Sequence, residues 1–66
     1  MKIIVNGEPR DLPAGASVAD AVATVTTAPG GVAAALNDEV VARSAWTATR
    51  LAEADRLEVL TAVQGG

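Results

Sequence analysis

"MKIIVNGEPRDL", residues 1–12, predicts a β-hairpin at the start of the chain. A run rich in β-branched residues leads into Asn6-Gly7, and this dipeptide favours a two-residue type I′ turn with positive φ at both positions. The turn sets three facing pairs: Val5 with Glu8, Ile3 with Arg10, and Met1 with Leu12. One face of the hairpin is then apolar and is assigned to the core: Met1, Ile3, Val5 and Leu12. Pro9 cannot donate a ladder hydrogen bond, so the second strand is predicted to lie at the sheet edge.

A helix is predicted over residues 17–27. Ser17, followed three residues later by Asp20, resembles a capping box, in which each side chain bonds the other residue's backbone N–H. One apolar stripe recurs at helical spacing: Val18, Ala21, Val22 and Val25. The sequence "TTAPGG" then stops the helix, because Pro29 cannot continue it and the following glycines allow the chain to reverse.

The second half of the chain predicts three more strands. "VAAALNDEVVA" indicates strand, turn and strand, with the bend at residues 37–39, and "RSAWTATRLAEAD" indicates irregular backbone with a short helical turn and a half-buried Trp46. In the final "RLEVLTAV", alternation divides the side chains into two faces. Leu57, Val59 and Thr61 are expected on one face, and Glu58, Leu60 and Ala62 on the other. The order predicts an α+β domain: a mixed sheet of four to five strands with one main helix on one face.

Composition excludes several classes of function. The 66 residues suffice for one small domain and contain no cysteine and no histidine, which removes thiolate nucleophiles, the usual zinc sites and the commonest general base. The net charge of −3 and a lone aromatic residue argue against nucleic-acid binding. No apolar run has the length of a membrane span and no signal peptide is apparent, so a cytoplasmic, monomeric protein is expected. Adjacent Asp38 and Glu39 are interpreted as turn residues, and no catalytic residue or bound metal is predicted.

The last five residues, "AVQGG", are the strongest functional signal. We expect residues 1–62 to form the domain and residues 63–66 a flexible tail. Fully extended, residues 62–66 would reach roughly 16 Å, and the glycines carry no Cβ, so a narrow channel in a partner could close around them. The α-carboxylate of Gly66 is a poor electrophile until an ATP-dependent partner converts it to an acyl-adenylate. From the two glycines alone, a frayed and passive terminus is an equal alternative.

Three stretches together resemble the ThiS sulfur-carrier proteins of thiamine biosynthesis, which belong to the ubiquitin-like β-grasp superfamily: "MKIIVNGE", "VAAALNDEVVARSAW" and "DRLEVLTAVQGG". The resemblance implies that Gly66 is adenylated by a ThiF-type enzyme and becomes a thiocarboxylate that gives its sulfur to a ThiG-type thiazole synthase. Gly65, Gln64 and Val63 would then thread the partners' channels. ATP and a sulfur donor would be used by those enzymes, and the domain itself would bind no cofactor. Ala42, where the family often has proline, and Ala54, where it often has glycine, depart from the pattern.

Strand alternation adds a candidate docking surface. With Leu57 and Val59 facing the helix, Leu60 would project from the uncovered face of the sheet, together with Glu58 and Ala62. Exposed apolar surface there suits a docking patch, although a lone exposed leucine needs no special explanation. The acidic side chains of Glu53, Asp55 and Glu58 would add charge complementarity or simply a solvated face. A molybdopterin-type sulfur carrier, a ubiquitin-like protein modifier and a plain interaction domain remain as alternatives.

Overall fold

Two strands joined by Asn6-Gly7 form the first unit of the computed structural model, which describes residues 1–26 and 31–61. Strand β1 spans Lys2–Val5 and strand β2 spans Glu8–Asp11, paired antiparallel in the predicted register. The φ angles of Asn6 and Gly7 are 50° and 81°, as a type I′ turn requires. The hairpin prediction is therefore confirmed.

The remaining elements follow the predicted order. They are helix α1 (Val18–Ala23), strand β3 (Val32–Leu36), strand β4 (Glu39–Val41), a 3-10 turn (Arg43–Ala45) and strand β5 (Arg56–Thr61). The five strands form one sheet in the order β2-β1-β5-β3-β4, with β1 and β5 parallel and the other pairs antiparallel. The first and last strands thus lie side by side in the middle of the sheet, and β2 lies at an edge, as Pro9 predicted. This is the β-grasp arrangement, so the predicted fold class is confirmed with five strands.

The core lies between α1 and one face of the sheet. Its largest fully buried side chains come from β1, α1 and β5: Ile3, Val5, Val18, Val22 and Leu57. Met1 and Leu12 are partly buried and pack against this cluster, so the hairpin face assigned to the core is correct. Complete burial of each aliphatic side chain is worth about 1.5–3 kcal/mol, which makes this cluster the main source of stability in so short a chain.

Helix α1 begins as predicted and ends earlier. Ser17 N–H donates to Asp20 Oδ2 at 2.9 Å and Asp20 N–H donates to Ser17 Oγ at 3.2 Å, which confirms the capping box. The helix stops at Ala23 rather than continuing to residue 27, because the backbone tightens into bonds three residues apart and the Thr24 hydroxyl donates to Ala21 O at 2.6 Å. Val25 is consequently 36% exposed, so its place in the buried stripe was wrong. The predicted stop at Pro29 and Gly30 lies outside the described residues.

Two details of the second half differ from the prediction. The bend between β3 and β4 contains only Asn37 and Asp38, both with positive φ, and Glu39 already belongs to β4. Trp46 is 5% exposed rather than half-buried. Its indole N–H donates to Val41 O at 2.9 Å, and the Arg43 guanidinium lies 5.4 Å from the ring centroid. A satisfied N–H removes the usual cost of burying indole, which explains why Trp46 enters the core completely.

The two alanines that depart from the family pattern have different conformations. Ala42 has φ −60° and ψ 141°, which proline adopts readily, so its replacement of proline leaves the geometry of this segment unchanged. Ala54 has φ +70°, in the left-handed region that glycine occupies without strain. Its N–H donates to Lys2 O at 2.8 Å, which ties this turn to β1. The backbone at position 54 therefore has the left-handed conformation that favours glycine, although the residue there is alanine.

We expect Ala54→Gly to raise the free energy of unfolding by about 0.5–1 kcal/mol, since left-handed backbone costs an L-residue about 1–2 kcal/mol and glycine's greater unfolded entropy offsets part of the gain. Thermal or urea unfolding of the two proteins measures the difference. Ala52→Gly is the matched control, because Ala52 is exposed in the same turn and is absent from the described non-glycine residues with positive φ. That control should destabilise, and stabilisation by both glycines or by neither would contradict strain at Ala54.

Candidate functional site

The predicted reactive tail lies outside the described residues. It comprises the channel-threading residues Val63, Gln64 and Gly65 and the reactive Gly66. The docking candidate Ala62, predicted as the end of the domain, also lies outside the described residues. The chain that leads to it is β5, whose last residue, Thr61, pairs with Val32 of β3. The described part of the candidate site therefore consists of β5 and the surface beside it.

Alternation along β5 separates a buried face from an exposed one. Leu57 and Val59 point into the core, whereas Leu60 is 64% exposed on the face that α1 leaves uncovered. Glu58 shares this open face and is exposed as well. The predicted orientation of both side chains is correct. Thr61 belongs to the core face by alternation but is exposed at the end of the strand.

Leu60 belongs to a larger apolar surface than the sequence analysis anticipated. The strand register places Ala33 opposite Leu60, and Ala35 opposite both Glu58 and Val40. Paired residues share a face of the sheet, so Val40, which is 82% exposed, lies on the open face. We call Ala33, Ala35, Val40 and Leu60 the open-face strip: two branched side chains separated by small ones. Alternation in "EVVA" carried the signal for Val40, since Val41 packs against the core.

The three acidic residues proposed for charge complementarity differ in their surroundings. The Asp55 carboxylate accepts from Ala52 N at 2.7 Å and from Asn37 Nδ2 at 3.1 Å, so it holds two turns together. Glu53 accepts from Lys2 N at 3.0 Å. Across residues 1–26 and 31–61, Glu58 forms no side-chain hydrogen bond or ion pair. Glu58 is therefore the acid of this group that remains available beside the open-face strip.

A groove of about 530 Å³ lies on the opposite side of the molecule, between α1 and the 3-10 turn. Small and apolar side chains line most of it, and Arg43 stacked on Trp46 supplies its charge. Its described lining residues include neither a nucleophile with a base nor a pair of carboxylates.

The described residues do not form a metal centre either. Over residues 1–26 and 31–61, no group of three or more acidic, histidine or cysteine side chains could hold an ion. Asp38 lies in the β3–β4 turn and forms an ion pair with Arg56 at 3.2 Å, in keeping with the turn role predicted for it. No helix of the described chain has the length and apolar character needed to cross a bilayer.

Two solved structures resemble this chain over its whole length. One is the crystal structure of a thiamine biosynthesis protein (ThiS) from Geobacter metallireducens, with a TM-score of 0.82, 29% identity and 100% of both chains covered. The other is an NMR solution structure of a thiamine biosynthesis protein from Geobacter metallireducens, with a TM-score of 0.80 and 32% identity. It covers 100% of this chain and 88% of that chain. No curated protein matches significantly.

The ThiS family profile matches residues 3–66, which includes all five strands except the first residue of β1, and the Gly65-Gly66 end. The match therefore spans both the described domain and the predicted tail. Together with the shared fold, it favours a sulfur carrier over a passive C-terminus. The chain belongs to the ThiS family, whose members are small sulfur-carrier proteins of thiamine biosynthesis rather than catalysts.

Proposed function

We propose that Gly66 is the sulfur-carrying residue of this protein, with residues 63–66 acting as a flexible arm on a rigid β-grasp domain. Membership in the ThiS family is the observation that carries the proposal. The composition agrees with it, because a chain with neither histidine nor cysteine leaves the chemistry to its partners. The domain supplies the surface that a partner recognises, and the arm supplies reach.

The chemistry requires activation before sulfur transfer. In the active site of a ThiF-type enzyme, the Gly66 carboxylate attacks the α-phosphorus of ATP, which forms the acyl-adenylate and releases pyrophosphate. A sulfide-level donor then attacks the acyl carbon: a C–S bond forms, the C–O bond to phosphate breaks, and AMP leaves. The product is a thiocarboxylate, whose sulfur is nucleophilic enough for a ThiG-type synthase to incorporate into the thiazole ring. No oxidation or reduction is needed in either step.

The open-face strip is the surface we assign to partner docking. It lies on β5 and its neighbours, and Leu60 is six positions before Gly66, so a partner that covers the strip also receives the arm. The two alanines between Val40 and Leu60 have small side chains, so an apolar side chain of the partner could pack between the two branched ones. Contiguous exposed apolar surface commonly marks a protein–protein interaction site.

Charge at the border of the strip favours a partner with basic groups there. Glu58 lies beside Ala35 and pairs with no side chain among the described residues, and the protein as a whole has a net charge of −3. Long-range attraction of this kind raises the association rate more than the affinity. Weaker association at high salt is the expected consequence.

Two related functions use the same terminus differently. A molybdopterin-type carrier would deliver its sulfur to another synthase, and a protein modifier would join Gly66 to lysine side chains as an isopeptide. Intact mass after incubation with ATP, a ThiF-type enzyme and a sulfide donor separates carrier from modifier. We expect the mass change of one oxygen replaced by sulfur, mapped to Gly66. Isopeptide conjugates in place of this change would favour a modifier, and product formation with a ThiG-type synthase distinguishes the thiazole pathway from the molybdopterin pathway.

The position of the carboxylate should be critical. Deleting Gly66, or appending one alanine after it, moves the terminal carboxylate by about 3.3–3.6 Å, which removes it from the attacking position. We expect adenylation, measured as pyrophosphate release, to fall at least a hundredfold in both variants. Circular dichroism and melting temperature should be unchanged. Adenylation of either variant at the rate of the unmodified protein would refute the role of Gly66.

The docking role of the open-face strip is tested with Leu60→Asp. We expect binding to the ThiF-type enzyme, measured by calorimetry, to weaken at least tenfold, because a buried charge replaces a central apolar contact. Val40→Asp should weaken it as well. Val25→Asp is the matched control, since Val25 is also an exposed valine but lies beyond the end of α1, away from the strip. Equal affinity for Leu60→Asp and the unmodified protein would place the interface elsewhere.

A further inference from the structure

Two asparagine side chains hold β5 in place from the turns on either side of it. Asn37, in the β3–β4 turn, accepts from Arg56 N at 3.0 Å and donates to Asp55 Oδ1 at 3.1 Å. This contact fixes the beginning of β5. The second contact comes from Asn6, in the hairpin turn, and it fixes the strand close to its other end.

The carboxamide of Asn6 bonds both backbone groups of one residue. Its Oδ1 accepts from Val59 N at 2.8 Å and its Nδ2 donates to Val59 O at 3.3 Å. The backbone N–H of Asn6 also donates to Leu57 O at 2.9 Å, the last backbone bond of the β1–β5 pairing. Beyond this point β1 turns away, and the side chain of Asn6 takes the place that the next strand residue would have occupied.

The geometry requires asparagine in particular. With φ at 50°, residue 6 is in the left-handed region, which among residues with side chains asparagine tolerates best. Its side chain must also accept from an N–H and donate to a carbonyl at the same time. Aspartate can accept but not donate, and it would place a negative charge against Val59 O. Glycine can adopt the backbone conformation but makes neither bond.

The contact at Val59 lies close to the point where the arm begins. Val59 comes two residues before Thr61, the last described residue, and four positions before the start of the proposed arm at Val63. On its other side β5 pairs with β3 from Leu57 to Thr61. Asn6 therefore supplies the second lateral restraint in the part of β5 that lies past the end of β1, where β3 would otherwise hold the strand alone.

We propose that Asn6 is a positioning residue for activation: by clamping Val59, it fixes the direction in which β5 delivers the arm to the adenylating enzyme. This inference rests on the proposed function. Acyl activation needs the carboxylate in a narrow range of positions, and movement of β5 at Val59 shifts the point from which the arm must reach the active site. Three of the four residues of the open-face strip lie on β3 and β4, so most of the docking surface is independent of the clamp.

The test compares Asn6→Gly with Asn37→Gly in steady-state adenylation by a ThiF-type enzyme. Both substitutions remove a carboxamide that bonds β5, and both place glycine at positive φ, where it is unstrained. We expect kcat for Asn6→Gly to fall about tenfold with KM within about twofold, the pattern of lost alignment rather than lost binding. Asn37→Gly should retain kcat, and Asn6→Asp, which can keep the bond from Val59 N, should give an intermediate value.

A measurement on the protein alone distinguishes a loss of β5 alignment from general destabilisation of the fold. The backbone 15N order parameter of Thr61 should decrease in Asn6→Gly and stay unchanged in Asn37→Gly, even where the two variants melt at similar temperatures. Unchanged kcat in Asn6→Gly, or an equal fall of kcat in Asn37→Gly, overturns the role of Asn6. Failure of the unmodified protein to be adenylated overturns the proposed function instead, so the two failures are distinguishable.

Discussion

The parallel pairing of β1 with β5 is the constraint on which this structure depends. It joins Ile4 to Arg56 and Val5 to Leu57, residues about fifty positions apart, in the centre of the sheet. Closing so long a loop has an entropic cost, which the burial of Ile3, Val5 and Leu57 against α1 offsets. Both hairpins attach to the sides of this pair. The pairing also makes the C-terminal strand, which precedes the tail in sequence, a central strand of the sheet.

Local patterns in the sequence predicted the elements that local chemistry determines. Asn6-Gly7 specified the first hairpin and its register, Ser17 and Asp20 specified the start of α1, and alternation in β5 specified that Leu60 faces water. Each of these depends on turn geometry, capping or a two-residue period, which neighbouring residues decide among themselves. The resemblance to the ThiS family supplied the β-grasp topology, which no local pattern contains.

The features that the sequence did not predict depend on contacts between residues from different elements. The depth of Trp46 depends on Val41 O accepting its indole N–H, and no periodicity near residue 46 indicates that partner. Val40 was not recognised as part of a surface because its neighbours on the open face come from β3 and, across it, β5. Asn6 was assigned to a turn, correctly, but its bonds to Val59 cross 53 positions of sequence. Because the turn already accounts for asparagine at position 6, the sequence gives no separate signal of its contact with β5.

The burial of Trp46 makes its fluorescence a reporter of the core of the domain. The chain has one tryptophan and no tyrosine or phenylalanine, so its fluorescence arises from a single indole. That indole is packed in the core beside α1, on the far side of the sheet from Val40 and Leu60. Its emission is expected to follow the melting of the globule more closely than binding at the opposite surface. Tryptophan fluorescence therefore offers a measure of whether the domain is folded that can be followed separately from binding at the open face of the sheet.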